Sequence, residues 1–241
     1  MTKTAFIPQH NQRQRRYFEA AQKPTMRPAD TPYIRRQADE VLRFGNLTRG
    51  DRILEVGCGM GRYTFYLRRR GFRVEGLELS PVQVEWFKAF DGGSYGVPVH
   101  SGDILDYGTR FAGQFDAVIG FFVLHHLHDL SACFSSITRI LKPGGRMVFL
   151  EPNPFNPLYY LQIFLTPGMT WEGDGGIVQM QRNRVFTAMR DAGLSHCVMK
   201  RFGFFPPFLA NRLWGSRAEI LMEKVGIWRS LLPFQIFRAD R

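Results

Sequence analysis

Residues 53–62 read ILEVGCGMGR. A short apolar run, Ile53 to Val56, meets glycines at positions 57, 59 and 61. The run has the length of a buried strand. Three alternate glycines let the backbone turn sharply and lie close against a bound molecule. The position three after Gly59 is Arg62, where a G-x-G-x-x-G dinucleotide fingerprint has glycine, and no Gly-Lys-Ser/Thr follows as in a P-loop. A strand–loop–helix unit that holds a nucleoside is the reading, with the ligand still open.

Outward from this loop the chain alternates. Residues 34–44 carry Ile34, Ala38, Val41 and Leu42 at helical spacing, and residues 61–70 resume a helical pattern closed by Gly71. FRVEGLEL is a second strand; Ser80 then caps a helix with Pro81 at its first position. VPVHSGD is a short strand and loop, and FDAVIGFF is an apolar strand too continuous to be half-exposed, so it lies mid-sheet. A helix over 130–141 ends at Lys142-Pro143-Gly144-Gly145, and RMVFLEP is the next strand. Strands alternating with helices predict a doubly wound parallel sheet with its ligand at the carboxyl ends of the strands. HCVMKRFGFF and LPFQIFRAD read as an antiparallel hairpin at the sheet edge, with a helix over 208–226 between them.

Three acids fall where a nucleoside needs them. Glu55 sits two residues before Gly57. Glu78 ends the second strand about 20 residues past the loop, the placement at which a carboxylate accepts from ribose hydroxyls. Asp103, followed by apolar Ile104, ends the third strand and suits an adenine amine. ILEVGCGMGR, LELS, GDI, FDAVIGFFVLHHL and LKPGGRMVFLEP, in this order and spacing over residues 34–152, resemble the class I S-adenosylmethionine-dependent methyltransferases.

The resemblance implies an α/β, Rossmann-like, doubly wound sheet of seven strands with the last strand antiparallel. It implies S-adenosylmethionine as cofactor and S-adenosylhomocysteine as product. It places Gly57, Gly59 and Gly61 against the methionine part, Glu55 facing its ammonium or ordering water, Glu78 on the ribose, Asp103 and Ile104 on the adenine, and Phe121 at the methionine end. Cys58 and Leu79 lie inside the same motifs and are carried with them. The domain plan is an N-terminal arm over 1–33, the methyltransferase domain over 34–241, and an insertion over 153–182 that covers the active face.

The cofactor brings its own activated methyl, so the protein has to align the acceptor and exclude water. After the fourth strand stands VLHHLHDL. His126 matches the histidine of the family pattern best; it and His125 are the candidates for a base or an acceptor-positioning group. A metal site is not expected, because adjacent histidines at a strand-to-helix turn point apart. Phe155, Tyr159, Tyr160, Phe164, Met169, Trp171 and Met180 in the insertion suit a small or lipid-like apolar acceptor methylated on oxygen or nitrogen.

The arm, with Pro8, Pro24, Pro28 and Pro32, reads as irregular with a short helix near Arg15–Gln22. The 241 residues carry a net charge of +11, which fits acidic partners or a solvated basic face. Phe, Leu and Trp interleave with Arg near the carboxyl terminus, as in segments that lie on membranes. Nucleic acid is disfavoured as a partner because no RNA-binding appendage is recognisable. Three scattered cysteines, and a first stretch without the apolar core of a signal peptide, suggest a cytoplasmic enzyme, with peripheral contact to the inner face of a membrane as a further expectation. The alternatives left open are an RNA methyltransferase, a non-catalytic nucleotide-binding module and an NAD-dependent oxidoreductase.

Overall fold

The computed structural model describes residues 3–20, 22–166 and 169–241. A helix α1 (Lys3–Glu19) precedes α2 (Pro32–Phe44), β1 (Arg52–Val56), α3 (Thr64–Arg69), β2 (Arg73–Glu78) and α4 (Pro81–Asp91). There follow β3 (Val99–Ser101), α5 (Ile104–Arg110), β4 (Phe115–Phe121), α6 (Leu130–Ile140) and β5 (Leu141–Pro152). The rest comprises α7 (Pro157–Leu165), α8 (Trp171–Asp174), α9 (Arg182–Asp191), β6 (Ser195–Phe202), α10 (Pro207–Ala210), α11 (Gly215–Glu223) and β7 (Phe234–Asp240).

Helix starts follow their capping residues. Thr31 accepts from the Ile34 amide ahead of α2, Ser80 from Gln83 ahead of α4, Asp129 from Ala132 ahead of α6 and Asn156 from Leu158 ahead of α7. Each side-chain oxygen satisfies an amide that the first helical turn leaves without a partner.

The seven strands form one sheet in the order β3-β2-β1-β4-β5-β7-β6. All pairs are parallel except those of β7, which runs antiparallel to both β5 and β6. β1 lies between β2 and β4, so chain order reverses at β1 and opens a crevice at the strands' carboxyl ends. Side chains alternate along β1. Leu54 and Val56 join one core with Phe134, Ile137 and Met189, and Ile53 joins the other with Ile34, Val41 and Leu67. The strand is apolar on both faces because both are covered.

Several expectations change in detail. Lys3–Glu19 form one continuous helix, α1, in place of the short helix expected near Arg15–Gln22. Its side chains meet the rest of the chain through polar contacts (described below), so no apolar stripe announces it. Lys142 to Gly145 open β5 instead of standing in a loop. The helix over 208–226 is two short ones, α10 and α11. Arg36 of α2 holds α11 through Glu219 and, at 2.6 Å, Glu223.

Candidate active site

A cavity of about 350 Å³ fills the crevice beside β1. Glu55, Gly57, Cys58, Gly59, Glu78, Leu79, Asp103, Ile104, Phe121, His125 and His126 all line it. Gly61 is the exception among the residues expected to bind the cofactor or act on the acceptor. Its φ is +87° and a Cβ there would stand 2.4 Å from the Phe65 ring, so it shapes the loop from behind the cavity wall. At Gly57, φ is +69° and a Cβ would lie 2.4 Å from Val123, a conformation and a closeness only glycine supports.

Glu78 closes the loop's other side. Its Oε2 accepts from the Gly59 amide and its Oε1 from the Ser80 amide, each at 2.9 Å. Burial raises its pKa and these backbone bonds pull it back down. Asp103 caps α5 by accepting from Leu105 through Oδ1 at 3.0 Å, and its Oδ2 accepts from the Asn11 side chain on α1. Phe121 stacks on Tyr63 with ring centroids 3.9 Å apart.

Glu55 is buried and accepts from the Thr64 hydroxyl at 2.7 Å. Burial, together with the nearby Glu78 carboxylate, pushes its pKa up to about 8. Its pKa is higher folded than unfolded, so its contribution is fully present below the ordinary carboxylate range and is lost as pH rises toward 8. Glu55→Gln is expected to flatten that part of the profile. Thermal melts of the ligand-free protein from pH 5 to 8.5 check it: the variant's gain over wild type grows with pH, and a gain independent of pH would refute the assignment.

Five buried polar atoms on cavity-lining residues have no hydrogen-bond partner: Gln14 Oε1, Arg15 Nε, Gln37 Nε2, Arg62 Nε and Gln83 Oε1. Such atoms are uncommon in folded proteins. Their concentration around one cavity fits a polar, anion-bearing ligand.

At the far end a 3-10 turn, Leu124–His126, carries the histidines. Glu151, fully buried at the end of β5, organises it. Its Oε1 accepts from the amides of Val123 and Leu124 at 2.8 and 2.7 Å, and its Oε2 meets His125 Nδ1 at 2.6 Å. The His125 and His126 rings do not point apart, as the sequence suggested; their centroids are 3.9 Å apart. The 3-10 geometry turns consecutive side chains through a smaller angle than a strand would.

His126 Nδ1 donates to the Gly173 carbonyl at 3.0 Å, and His10 of α1 donates to the His126 carbonyl at 2.7 Å. Burial, and then the neighbouring His125, hold the His126 imidazole neutral. Asp174 accepts at Oδ2 from Tyr17 at 2.5 Å and from the Thr170 amide at 3.1 Å. A Cβ on Gly176 would fall 1.8 Å from the His125 carbonyl, so the segment after α8 presses its bare backbone onto the histidine turn.

The lid is less aromatic than its composition suggested. Among the described residues of 153–182, Tyr159, Gln162, Met169 and Asp174 line the cavity; Phe155, Phe164 and Trp171 are exposed, and Met180 is in the core. Tyr17, Phe18, Met26 and Tyr33 complete the wall from the amino-terminal side. Glu151, Asp174, Tyr17, Arg15 and Arg62 were not singled out by sequence. Only Glu151, at the carboxyl end of an apolar strand, carried a positional signal.

A family model described as a methyltransferase domain matches residues 29–204. The chain belongs to the S-adenosylmethionine-dependent methyltransferases. Among curated proteins, this methyltransferase is 30% identical over 117 residues to a ubiquinone biosynthesis O-methyltransferase of Erwinia tasmaniensis, covering 48% of each chain. It thus spans about half the length of such relatives. Among solved structures it is similar in fold to a SAM-dependent methyltransferase from Archaeoglobus fulgidus, with TM-score 0.61, 14% identity, and 86% and 94% of the two chains covered. It is likewise similar to geranyl diphosphate C-methyltransferase from Streptomyces coelicolor in complex with Mg2+, geranyl diphosphate and S-adenosyl-L-homocysteine, with TM-score 0.61, 21% identity, and 96% and 98% covered.

Proposed function

We propose that this methyltransferase transfers a methyl group from S-adenosylmethionine to a hydroxyl oxygen of a small, lipid-like acceptor. One observation carries the reading: a single cavity runs from the glycine loop and Glu78 to the His125–His126 pair, with Tyr159, Gln162 and Met169 along its wall. Relatives named as ubiquinone biosynthesis O-methyltransferases support oxygen as the methylated atom.

Bound there, S-adenosylmethionine supplies a sulfonium-activated methyl. Glu78 receives the ribose hydroxyls, and Leu79, Ile104 and Asp103 receive the adenine, with Asn11 yielding or sharing the Asp103 oxygen it now holds. Arg62 and Arg15, whose Nε atoms lack partners, suit the methionine carboxylate, and Gln37 adds a further donor. The ammonium falls to the Gly57 end of the loop, near Glu55. Phe121 and Cys58 wall the methionine chain. His125, oriented by Glu151, and His126, oriented by Gly173, present their free ring nitrogens to the acceptor hydroxyl. The amino-terminal arm and residues 153–182 exclude water and fix the line of attack.

The acceptor is reached from an interface. Among the described residues no helix is long and apolar enough to cross a membrane. Yet Leu158, Leu161, Phe164 and Leu165 of α7 are exposed, as are Leu213, Trp214, Leu221 and Ile227 around α11. Asn153 and Asn156 bond the carbonyls of Ser230 and Leu231, tying the two segments into one face. Arg212, Arg217, Lys224 and Arg229 are exposed beside it. Apolar side chains flanked by cations suit peripheral contact with anionic lipid.

The test is transfer of labelled methyl to alkyl- or prenyl-phenols against RNA, with and without anionic vesicles. Expected are label in the phenol, flotation of the protein with the vesicles and no label in RNA. Methylated RNA with steeply salt-dependent binding would overturn the assignment.

A further inference from the structure

We propose that His125, His126 and Asp174 together hold one divalent transition-metal ion at the acceptor end of the cavity. One donor atom from each of the three lies within 4.8 Å of the other two. Ligand atoms on a common tetrahedral ion stand about 3.3 Å apart. Binding therefore draws the three donors together by up to about 1.5 Å.

The hydrogen bonds already select the right tautomers. Glu151 can only accept, so His125 Nδ1 carries the proton and Nε2 keeps its lone pair. The Gly173 carbonyl imposes the same on His126. Both hydrogen bonds to the Asp174 carboxylate fall on Oδ2, which leaves Oδ1 as the oxygen available to an ion. Metal-ligating histidines are oriented in this way, with the second ring nitrogen donating to a carboxylate or a backbone carbonyl. Three ligands are thus fixed from behind, from elements far apart in sequence, and all three residues line the cavity.

Two imidazoles and one carboxylate favour zinc, iron(II), manganese or cobalt over calcium or magnesium, which prefer oxygen. Three protein ligands also leave a position open. The inference rests on the proposed function and deepens it: that position takes the acceptor hydroxyl. A cation there lowers the hydroxyl's pKa so that its proton passes to solvent. The oxygen–carbon bond then forms as the sulfur–carbon bond breaks, and the cofactor leaves as the neutral thioether.

The experiment uses the full chain, stripped by a chelator, dialysed and titrated with Co2+ and Zn2+. Expected are one equivalent by elemental analysis and a visible Co2+ absorption typical of nitrogen and oxygen ligands. His126→Ala and Asp174→Asn should each weaken binding at least tenfold, and Glu151→Gln by about 10–100-fold through the His125 tautomer. His100→Ala, at a histidine elsewhere, should retain the full equivalent. Circular dichroism identifies any variant that fails to fold, and the remaining variant then decides. Binding below a tenth of an equivalent at micromolar ion, or equal binding by wild type, His126→Ala and Asp174→Asn, overturns the site. Calorimetry with S-adenosylhomocysteine on the same samples separates the two readings: cofactor binding without metal binding sinks only this inference, and loss of both sinks the proposed function.

Discussion

Glu151→Gln is expected to lower methyl transfer by about a thousandfold while the protein still folds and binds S-adenosylhomocysteine. The carboxylate serves two groups with two oxygens. Oε1 takes the Val123 and Leu124 amides, and Oε2 takes His125. A glutamine oxygen can keep both amides, so the turn survives. Its amide nitrogen then faces His125 Nδ1 as a donor and forces the ring proton onto Nε2. The cavity-facing nitrogen loses its lone pair, whether that lone pair serves the acceptor directly or a metal ion. Wrong-tautomer substitutions at a buried histidine–carboxylate pair cost about 10⁴ in turnover where the ring itself moves the proton, and somewhat less where it only positions. Turnover measured beside cofactor affinity checks this. Unchanged turnover would show that His125 takes no part. Glu151→Leu, by contrast, strands two buried amides at about 1–3 kcal/mol each and should be visibly destabilised.

The second large effect belongs to Glu78. Glu78→Ala is expected to weaken S-adenosylhomocysteine binding by two orders of magnitude or more. Two charge-assisted hydrogen bonds to the ribose contribute about 1.5–3 kcal/mol each, and about 1.4 kcal/mol is a tenfold change in affinity. The carboxylate also fixes the Gly59 and Ser80 amides, so the glycine loop loosens as the ribose contact goes. Calorimetric titration measures the loss, and affinity equal to wild type would place the ribose elsewhere.

The sheet, and the residues that line the crevice proposed for the cofactor, were legible because local chemistry decides their placement. Strand length, glycine spacing, the Ser80 cap and the acids at strand ends all sit within a few residues of what they shape. The doubly wound parallel sheet, with its crevice at the strands' carboxyl ends, followed from the alternation of strands and helices. The acceptor half was not legible, because its partners are distant in sequence: Tyr17 with Asp174 and His10 with His126. Polar contacts of this kind leave no periodic trace. The aromatic richness of 153–182 misled for a related reason. Composition counts Phe155, Phe164 and Trp171 without showing that they face outward. The histidines were misjudged because a 3-10 turn, which no local residue type demands here, brings their rings together.

Between Asn11 and Phe18, helix α1 lines the cavity from its cofactor end to its acceptor end. Asn11 bonds Asp103 and Phe18 receives Gln83 at 3.0 Å over the cofactor end, Glu19 receives Ser80 at 2.6 Å beside it, and His10 and Tyr17 clasp the acceptor end. A nucleoside cannot slip past so many fastenings one at a time. The same bolt guards both doors, so spent cofactor and fresh cofactor must trade places through one opening event. A burst of methylation in the first turnover, followed by slower steady-state rounds, is the expected outcome of a bolt that has to slide for each exchange, and rapid-quench kinetics checks it.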